Sequence, residues 1–320
     1  MASPSPTTQR AVAFVSARKL AAEELGSSLA DFIGDPDAFA MALRRGLEGL
    51  ADPEYQDGVQ HVAPGIGPIL GVRRPLLAAV SRGFRHETRG ERVTQLLFIA
   101  DRLFREPHLE ARWFAFGLLE RTLAADPERT WQLLRRAARE AADWVTVDDL
   151  AHPYGIGIAA ESYRWAELEQ LVYSPSRWER RLIASTIATM THGNRRTGRD
   201  PELVPTALGL LEQLMGDAEP DVQKALAWAY RSLAGRDLEA TTEALRRQTD
   251  LAAADDDGHR AWVVRDSLTK LAPTDADDLR ARLAGIRKRS GAPSTSAAAT
   301  TAARFGAMPD PIDHPEPPLT

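Results

Sequence analysis

The sequence predicts an all-α protein, an α-solenoid (superhelix) of HEAT-like antiparallel helix pairs, on three observations. Apolar residues recur at intervals of three and four along most of the chain, which is the spacing of one helix face. Helical segments come in pairs whose second members begin near His108, Thr146, Arg177, Pro220 and His259, a mean spacing of about 38 residues, as in two-helix repeats. No alternation of apolar and polar residues competes as a strand signal.

The elements follow in order. Val12, Phe14, Val15, Leu20 and Ala21 predict an amphipathic helix from Thr8 to Leu25. Asp35-Pro36 is an N-cap followed by a first-turn proline, opening a helix with Phe39, Leu43, Leu47 and Leu50 as its buried stripe and Asp52-Pro53 as its end. Gly58 to Arg74 is too rich in Gly and Pro for a regular element and reads as a loop, with Pro75 opening a helix from Leu76 to Phe84. The paired helices then run Glu91–Phe104 with His108–Ala124, and Glu128–Ala142 with a short helix around Thr146–Ala151. They continue as Tyr163–Leu171 with Trp178–Met190, Pro201–Met215 with Pro220–Leu233, and Asp237–Leu251 with Gly258–Leu271. A last helix is expected from Asp275 to Arg289. The solenoid domain is therefore placed at residues 1–290, and residues 291–320, rich in Pro, Ala, Ser and Thr, are expected to be a disordered tail.

A chain of 320 residues, 43% hydrophobic and 27% charged, can bury a full core. The absence of cysteine excludes disulfides and Cys-based metal sites, and it suits a reducing compartment. Nothing reaches the roughly 18 consecutive apolar residues of a membrane helix, and Met-Ala-Ser-Pro-Ser-Pro has no basic segment leading into an apolar one. The expectation is a cytoplasmic or nucleoid protein without a membrane partner. A net charge of -5 argues against a protein that coats nucleic acid through its overall field, so a polyanion would need a local basic surface.

The predicted second helices offer such a surface. They carry Arg112-Trp113, Trp178 with Arg180 and Arg181, Lys224 with Trp228 and Arg231, and Arg260 with Trp262 and Arg265, while Trp144 and Asp148 flank the shorter one. Arginine pairs with phosphate, and indole offers an apolar, electron-rich face to sugars and cations. Between Arg177 and Arg199 stand six arginines and one acid, Glu179. The plainer readings are core packing for Trp113, Trp131, Trp165 and Trp262, a salt bridge or solvated face for Arg112, Arg260 and Arg265, and a helix cap for Asp148, with Asp149 as its competitor. The histidines show no metal-ligand spacing, and no Gly-rich phosphate loop or Gly-x-Ser-x-Gly turn is present. No metal or cofactor is expected.

Three motifs in register carry a resemblance. Trp144-x-Thr146-Val147-Asp148, Ser-x-x-Trp178-x-Arg180-Arg181 and Gln-Lys224-Ala-x-x-Trp228-x-x-Arg231 resemble those of the AlkD-like DNA alkylation repair glycosylases, as does the segment Gly71-Val72-Arg73-Arg74-Pro75. The similarity spans roughly Gly71 to Arg247. It implies a DNA glycosylase that hydrolyses the N-glycosidic bond of cationic N3- and N7-alkylated purines in double-stranded DNA; with no lysine at the neighbouring positions a Schiff-base lyase step is not predicted, so the expectation is a monofunctional, monomeric enzyme leaving an abasic site. Asp148 matches the catalytic acid, and Trp144 and Trp228 match the indoles that flank the lesion's deoxyribose. Arg181 matches the backbone-contacting arginine, with Arg180 as runner-up and Lys224 and Arg231 as further backbone contacts. Where fuller motifs have Trp-Trp-Asp-x-Val-Asp, Asp143 here precedes Trp144 and Val145 follows it. The three motifs are expected to face one another across a groove.

Trp144 and Asp148 are four residues apart, on one helix face. An alkylated purine is already cationic, so it departs neutral and needs no general acid; positive charge moves to the sugar, where one carboxylate can stabilise it and orient water. Two other readings remain: a non-catalytic relative that binds DNA, and a protein-interaction scaffold, which the acidic run Asp255-Asp256-Asp257 also suits.

Overall fold

In the computed structural model, residues 5–90, 92–191 and 200–305 are described. Among them the regular structure is entirely helical, in two compact units, Met1–Arg164 and Trp165–Thr320.

The first unit contains α1 (Pro6–Ser28), α2 (Pro36–Gly49), α3 (Pro53–Val62), α4 (Arg74–Glu87), α5 (Val93–Leu103), α6 (Leu109–Thr122), α7 (Pro127–Glu140) and α8 (Trp144–Ala160). Its packing is that of a repeat: α4 lies on α6 and α6 on α8, while α5 lies on α7 in a second row. The core between the rows is aromatic, with Phe39, Phe84 and Phe114 mutually 5.2 to 6.0 Å apart by ring centroid. The second unit repeats the pattern. After α9 (Arg164–Gln170) it contains α10 (Arg177–Met190), α11 (Leu203–Leu214), α12 (Pro220–Ala234), α13 (Leu238–Ala254), α14 (Gly258–Ser267), α15 (Pro273–Arg282) and α16 (Ala297–Phe305). Here α10, α12 and α14 stack in one row and α11, α13 and α15 in the other. Each helix buries its apolar stripe against two rows of neighbours, which is how an α-solenoid distributes its core. The expected fold class is the one observed.

Three expectations need correction. Asp52-Pro53 does not merely end α2; Asp52 caps α3 by accepting the Glu54 N–H at 3.1 Å, and Pro53 occupies its first turn. The irregular loop is thereby shortened to residues 63–73, because Gly58 sits on an open helix face where its lack of a side chain costs little. The helix expected around Thr146–Ala151 runs on to Ala160 through Pro153. A proline removes one ladder donor, but Leu150, Ala151, Tyr154 and Ile158 are all buried along this helix and their packing prevails over the local preference. Finally, the segment assigned to a disordered tail begins with ordered chain: Thr295 N–H donates to Gly216 O at 2.9 Å, Ser296 and Ala298 are buried, and α16 packs on α11. Residues 306–320 lie outside the described residues.

The loop that leads into α4 is held from two sides. Glu110 of α6, 1% exposed, accepts the N–H groups of Leu70, Gly71 and Val72 at 2.9 to 3.2 Å. From α3, Asp52 N–H donates to Gly71 O at 3.0 Å and Gln56 Nε2 donates to Ile69 O at 2.7 Å. Gly71 has φ +86, and a Cβ there would meet Asp52 O at 2.8 Å, so glycine is required both by conformation and by the closeness of α3. This holds Arg73 and Arg74 in place.

Candidate active site

The first unit builds a pocket around the start of α8. Asp143 caps that helix, accepting the Thr146 N–H at 2.8 Å and the Thr146 hydroxyl at 2.8 Å. Thr146 Oγ1 in turn accepts the indole N–H of Trp113, on α6, at 3.2 Å. The chain Trp113, Thr146, Asp143 fixes the rotation of α8, and with it the direction in which Trp144 and Asp148 project. The departure noted in the motif therefore has a physical role, since the acid that precedes Trp144 is the N-cap.

Trp144, Val145, Asp148 and Asp149 line a pocket of about 530 Å³ together with Trp113, Arg74 of α4, and Tyr55, Val59 and Val62 of α3. Trp144 and Asp148 are half-buried. The two adjacent acids are not equivalent. Asp149 is ion-paired with Arg74 Nη1, and the Arg74 guanidinium lies over the Trp113 ring at 3.9 Å from its centroid. Burial pushes the Asp149 carboxyl above the usual carboxylate range; Arg74 opposes that rise, and the charges of Asp148 and Asp143 add to it. Arg74 and Asp149 thus form one neutralised unit over the Trp113 face, beside Asp148.

Sequence reasoning did not identify Tyr55, Val59, Val62, Arg74 or Trp113 as pocket residues. Trp113, at 7% exposure, fits the plainer reading of core packing; its role as one wall of the pocket depends on Arg74, 39 positions earlier in the chain. The nearest signal was Gly71-Val72-Arg73-Arg74-Pro75, whose glycine and proline the structure explains by the turn before α4 and by the first turn of α4 itself.

The second unit places the remaining candidates on α10 and α12. Arg180 is turned toward structure: it pairs with Asp217 at 2.7 Å and donates to the carbonyls of Ser174 at 2.8 Å and Pro175 at 3.0 Å. Arg181 is buried and donates to Asp221 O at 2.6 Å. Trp178 and Trp228 are half-buried, and the Arg177 guanidinium stands 4.6 Å from the Trp178 ring centroid. Lys224 is exposed, and Arg231 bonds both the carbonyl and the carboxylate of Asp266, at 2.6 and 2.7 Å. The cationic stretch expected from Arg177 to Arg199 is therefore largely balanced on α10, where Arg177 also lies 3.5 Å from Glu219. Arg195, Arg196 and Arg199 lie outside the described residues.

A sequence model of the DNA alkylation repair enzyme family matches residues 43–271, more than two thirds of the chain. The chain belongs to that family. No match is found among curated proteins. For a DNA alkylation repair enzyme the substrate is DNA, and the match covers the pocket of the first unit as well as α10 and α12 of the second. Among the described residues, no helix is long and apolar enough to cross a membrane.

Proposed function

We propose that this DNA alkylation repair enzyme is a monofunctional glycosylase that hydrolyses the N-glycosidic bond of cationic N3- and N7-alkylpurines in duplex DNA. The observation that carries the reading is the pocket at the head of α8. It holds an indole and a carboxylate one turn apart, and the neighbouring acid is neutralised by an arginine.

In this reading the alkylated base is the leaving group. It departs neutral, taking the electron pair of the C1′–N bond, and the sugar acquires oxocarbenium character. Asp148 stabilises that charge, and the water it orients adds to C1′, its proton passing to solvent. Trp144 offers a π face to the cationic nucleoside, worth about 0.5 to 2 kcal/mol. Asp148 dominates, because a preorganised electrostatic group of this kind is worth about 3 to 4 kcal/mol of barrier. The only cation among the described residues that line the pocket is Arg74, whose guanidinium cannot serve as a Schiff-base amine, so an abasic site is the product. Lys224 is assigned to the phosphate backbone, and Arg181, now on Asp221 O, and Arg231, now on Asp266, are assigned to it by exchanging those partners for phosphate. Arg180, fully engaged with Asp217 and two carbonyls, is assigned to holding α10 in place.

The test is single-turnover release of 7-methylguanine from methylated duplex. Wild-type protein is expected to release it, and Asp148→Asn to do so about 10² to 10³ times more slowly. An undiminished rate in Asp148→Asn would remove the mechanism. No release by wild type would leave a DNA-binding relative without this activity.

A further inference from the structure

Beyond the family match, in the segment after α15, stand Arg287 and Lys288, and the chain that carries them is held with unusual completeness. The anchor is Gln223, a fully buried side chain on α12. Its amide donates to Asp217 O at 2.5 Å and lies 3.1 Å from His259 Nδ1, while its carbonyl oxygen accepts from the Lys288 ammonium. His259 Nε2 faces Ala292 O at 3.1 Å. A carbonyl only accepts, so Nε2 carries the proton and Nδ1 is left to accept from Gln223. Every polar atom of the Gln223 side chain is then used, and one of its partners is Lys288.

The backbone of the segment is pinned as tightly. Arg265 donates to Leu283 O and Ile286 O, each at 2.6 Å. At the start of α14, Gly258 lets the Arg287–Lys288 peptide approach so closely that a Cβ there would meet Arg287 O at 2.2 Å and Lys288 N at 2.5 Å. Lys288 is further held over the Trp262 ring, 4.1 Å from its centroid.

This order brings like charges together. Lys288 stands near Lys224 and Arg287 near Arg265; burial lowers the pKa of Lys288 and of Arg265, and the neighbouring cation adds to the effect in each case. Among the described residues neither Lys224, Arg287 nor Lys288 is ion-paired with a carboxylate, whereas the adjacent Arg289 is paired with Asp256. Lys224, Arg287 and Lys288 are all exposed. Fixed, exposed, unneutralised cations raise the energy of the free protein, and an anion that spans them relieves it. Two successive phosphates of a nucleic-acid strand are such an anion.

The geometry points to Lys224 of α12 with Arg287 and Lys288 of the segment after α15 as a phosphate-backbone contact for duplex DNA, its last two cations outside the stretch that defines the family. This rests on the reading of the chain as acting on duplex DNA, and it adds a contact made by the chain downstream of the matched repeats. Gln223 and Gly258 are the positioning residues of this contact.

The experiment is a fluorescence titration of undamaged duplex at several salt concentrations, which reads binding independently of base release. Replacing one phosphate-contacting cation is expected to reduce the slope of log K against log salt by about 0.9, so Lys288→Ala should lose about that much and Arg287→Ala with Lys288→Ala about twice as much. Lys288→Arg should restore the slope. Arg280→Ala, which removes an exposed cation of α15 paired with Asp277 at 2.6 Å, should leave it unchanged. If Lys288→Ala lowers the melting temperature while the slope stays at the wild-type value, Lys288 is only a staple and the assignment falls, with the glycosylase reading untouched. A reduced slope in a protein that releases no alkylated base keeps the contact and removes the glycosylase reading. Wild type without salt-dependent binding overturns both.

Discussion

Asp148 and Asp149 are adjacent in sequence and line the same pocket, and Asp149 is the one that Arg74 holds. Asp149 is half-buried, and its carboxyl is pushed up by that burial and pulled back by Arg74. Its charge is answered within the protein by Arg74, which weakens the field it adds to a cation in the pocket. Asp149→Asn is accordingly expected to slow release of 7-methylguanine by less than about tenfold, against the 10² to 10³ expected for Asp148→Asn. Single-turnover rates of the two variants side by side decide the matter; a larger loss in Asp149→Asn would exchange their roles. The spacing of Trp144 and Asp148 was legible because it is local, one helical turn. The partner that separates the two acids was not, because Arg74 reaches Asp149 across 75 positions and no local pattern encodes such a pair.

At the scale of elements, the helix rows were legible from apolar periodicity, and the errors fell where a breaker residue was given its usual meaning. Asp52-Pro53 closes one helix and caps the next, and Pro153 sits inside α8, held by burial of the residues around it. The chain after α15 was misread for the opposite reason. Its composition is poor in large apolar residues, and what orders it is hydrogen bonding to α12, α14 and the turn before α12, together with the packing of α16 on α11. Asp257 is central to this. It caps α14 through the N–H groups of His259 at 2.9 Å and Arg260 at 3.0 Å, and it accepts from the Thr295 hydroxyl. Burial alone would raise its pKa, but Thr295, the Arg260 N–H and the Arg260 guanidinium outweigh that and hold it below the usual carboxylate value. A depressed folded pKa contributes stability that is fully present above the unfolded value, about 3.9, and is lost as pH falls through the folded one. Thermal melts followed from pH 7 downward should therefore show wild type losing stability below about pH 4 more steeply than Asp257→Asn, which has no proton to take up there. Parallel curves for the two proteins would mean that Asp257 does not couple the segment to α14.

For the whole molecule, 45 acids against 40 lysines and arginines leave a net charge of -5, so its far field repels DNA. Many arginines that composition alone would offer to a phosphate are engaged with acids: Arg102 with Asp37 and Glu106, Arg136 with Asp101 and Glu140, Arg247 with Glu212. That engagement is invisible in a count of residues, and on α10 it likewise balances Arg177 and Arg180 against Glu219 and Asp217. Attraction must then act at contact, within the roughly 8 Å over which charge is felt at physiological ionic strength. Only a few cations are assigned to that contact: Arg181, Lys224 and Arg231, with Arg287 and Lys288 beside them. Five phosphate contacts at about 0.9 each set an upper bound near 4.5 on the salt slope of duplex binding, well short of a protein that binds through its overall charge. Titration of wild type across salt is expected to give a slope between about 3 and 4.5 in magnitude. A slope near zero would show that these side chains meet no phosphates, and the helical rows would then be better understood as a surface for another protein. A much steeper slope would mean that further arginines paired with acids, such as Arg102, Arg136 and Arg247, also change partners when DNA arrives.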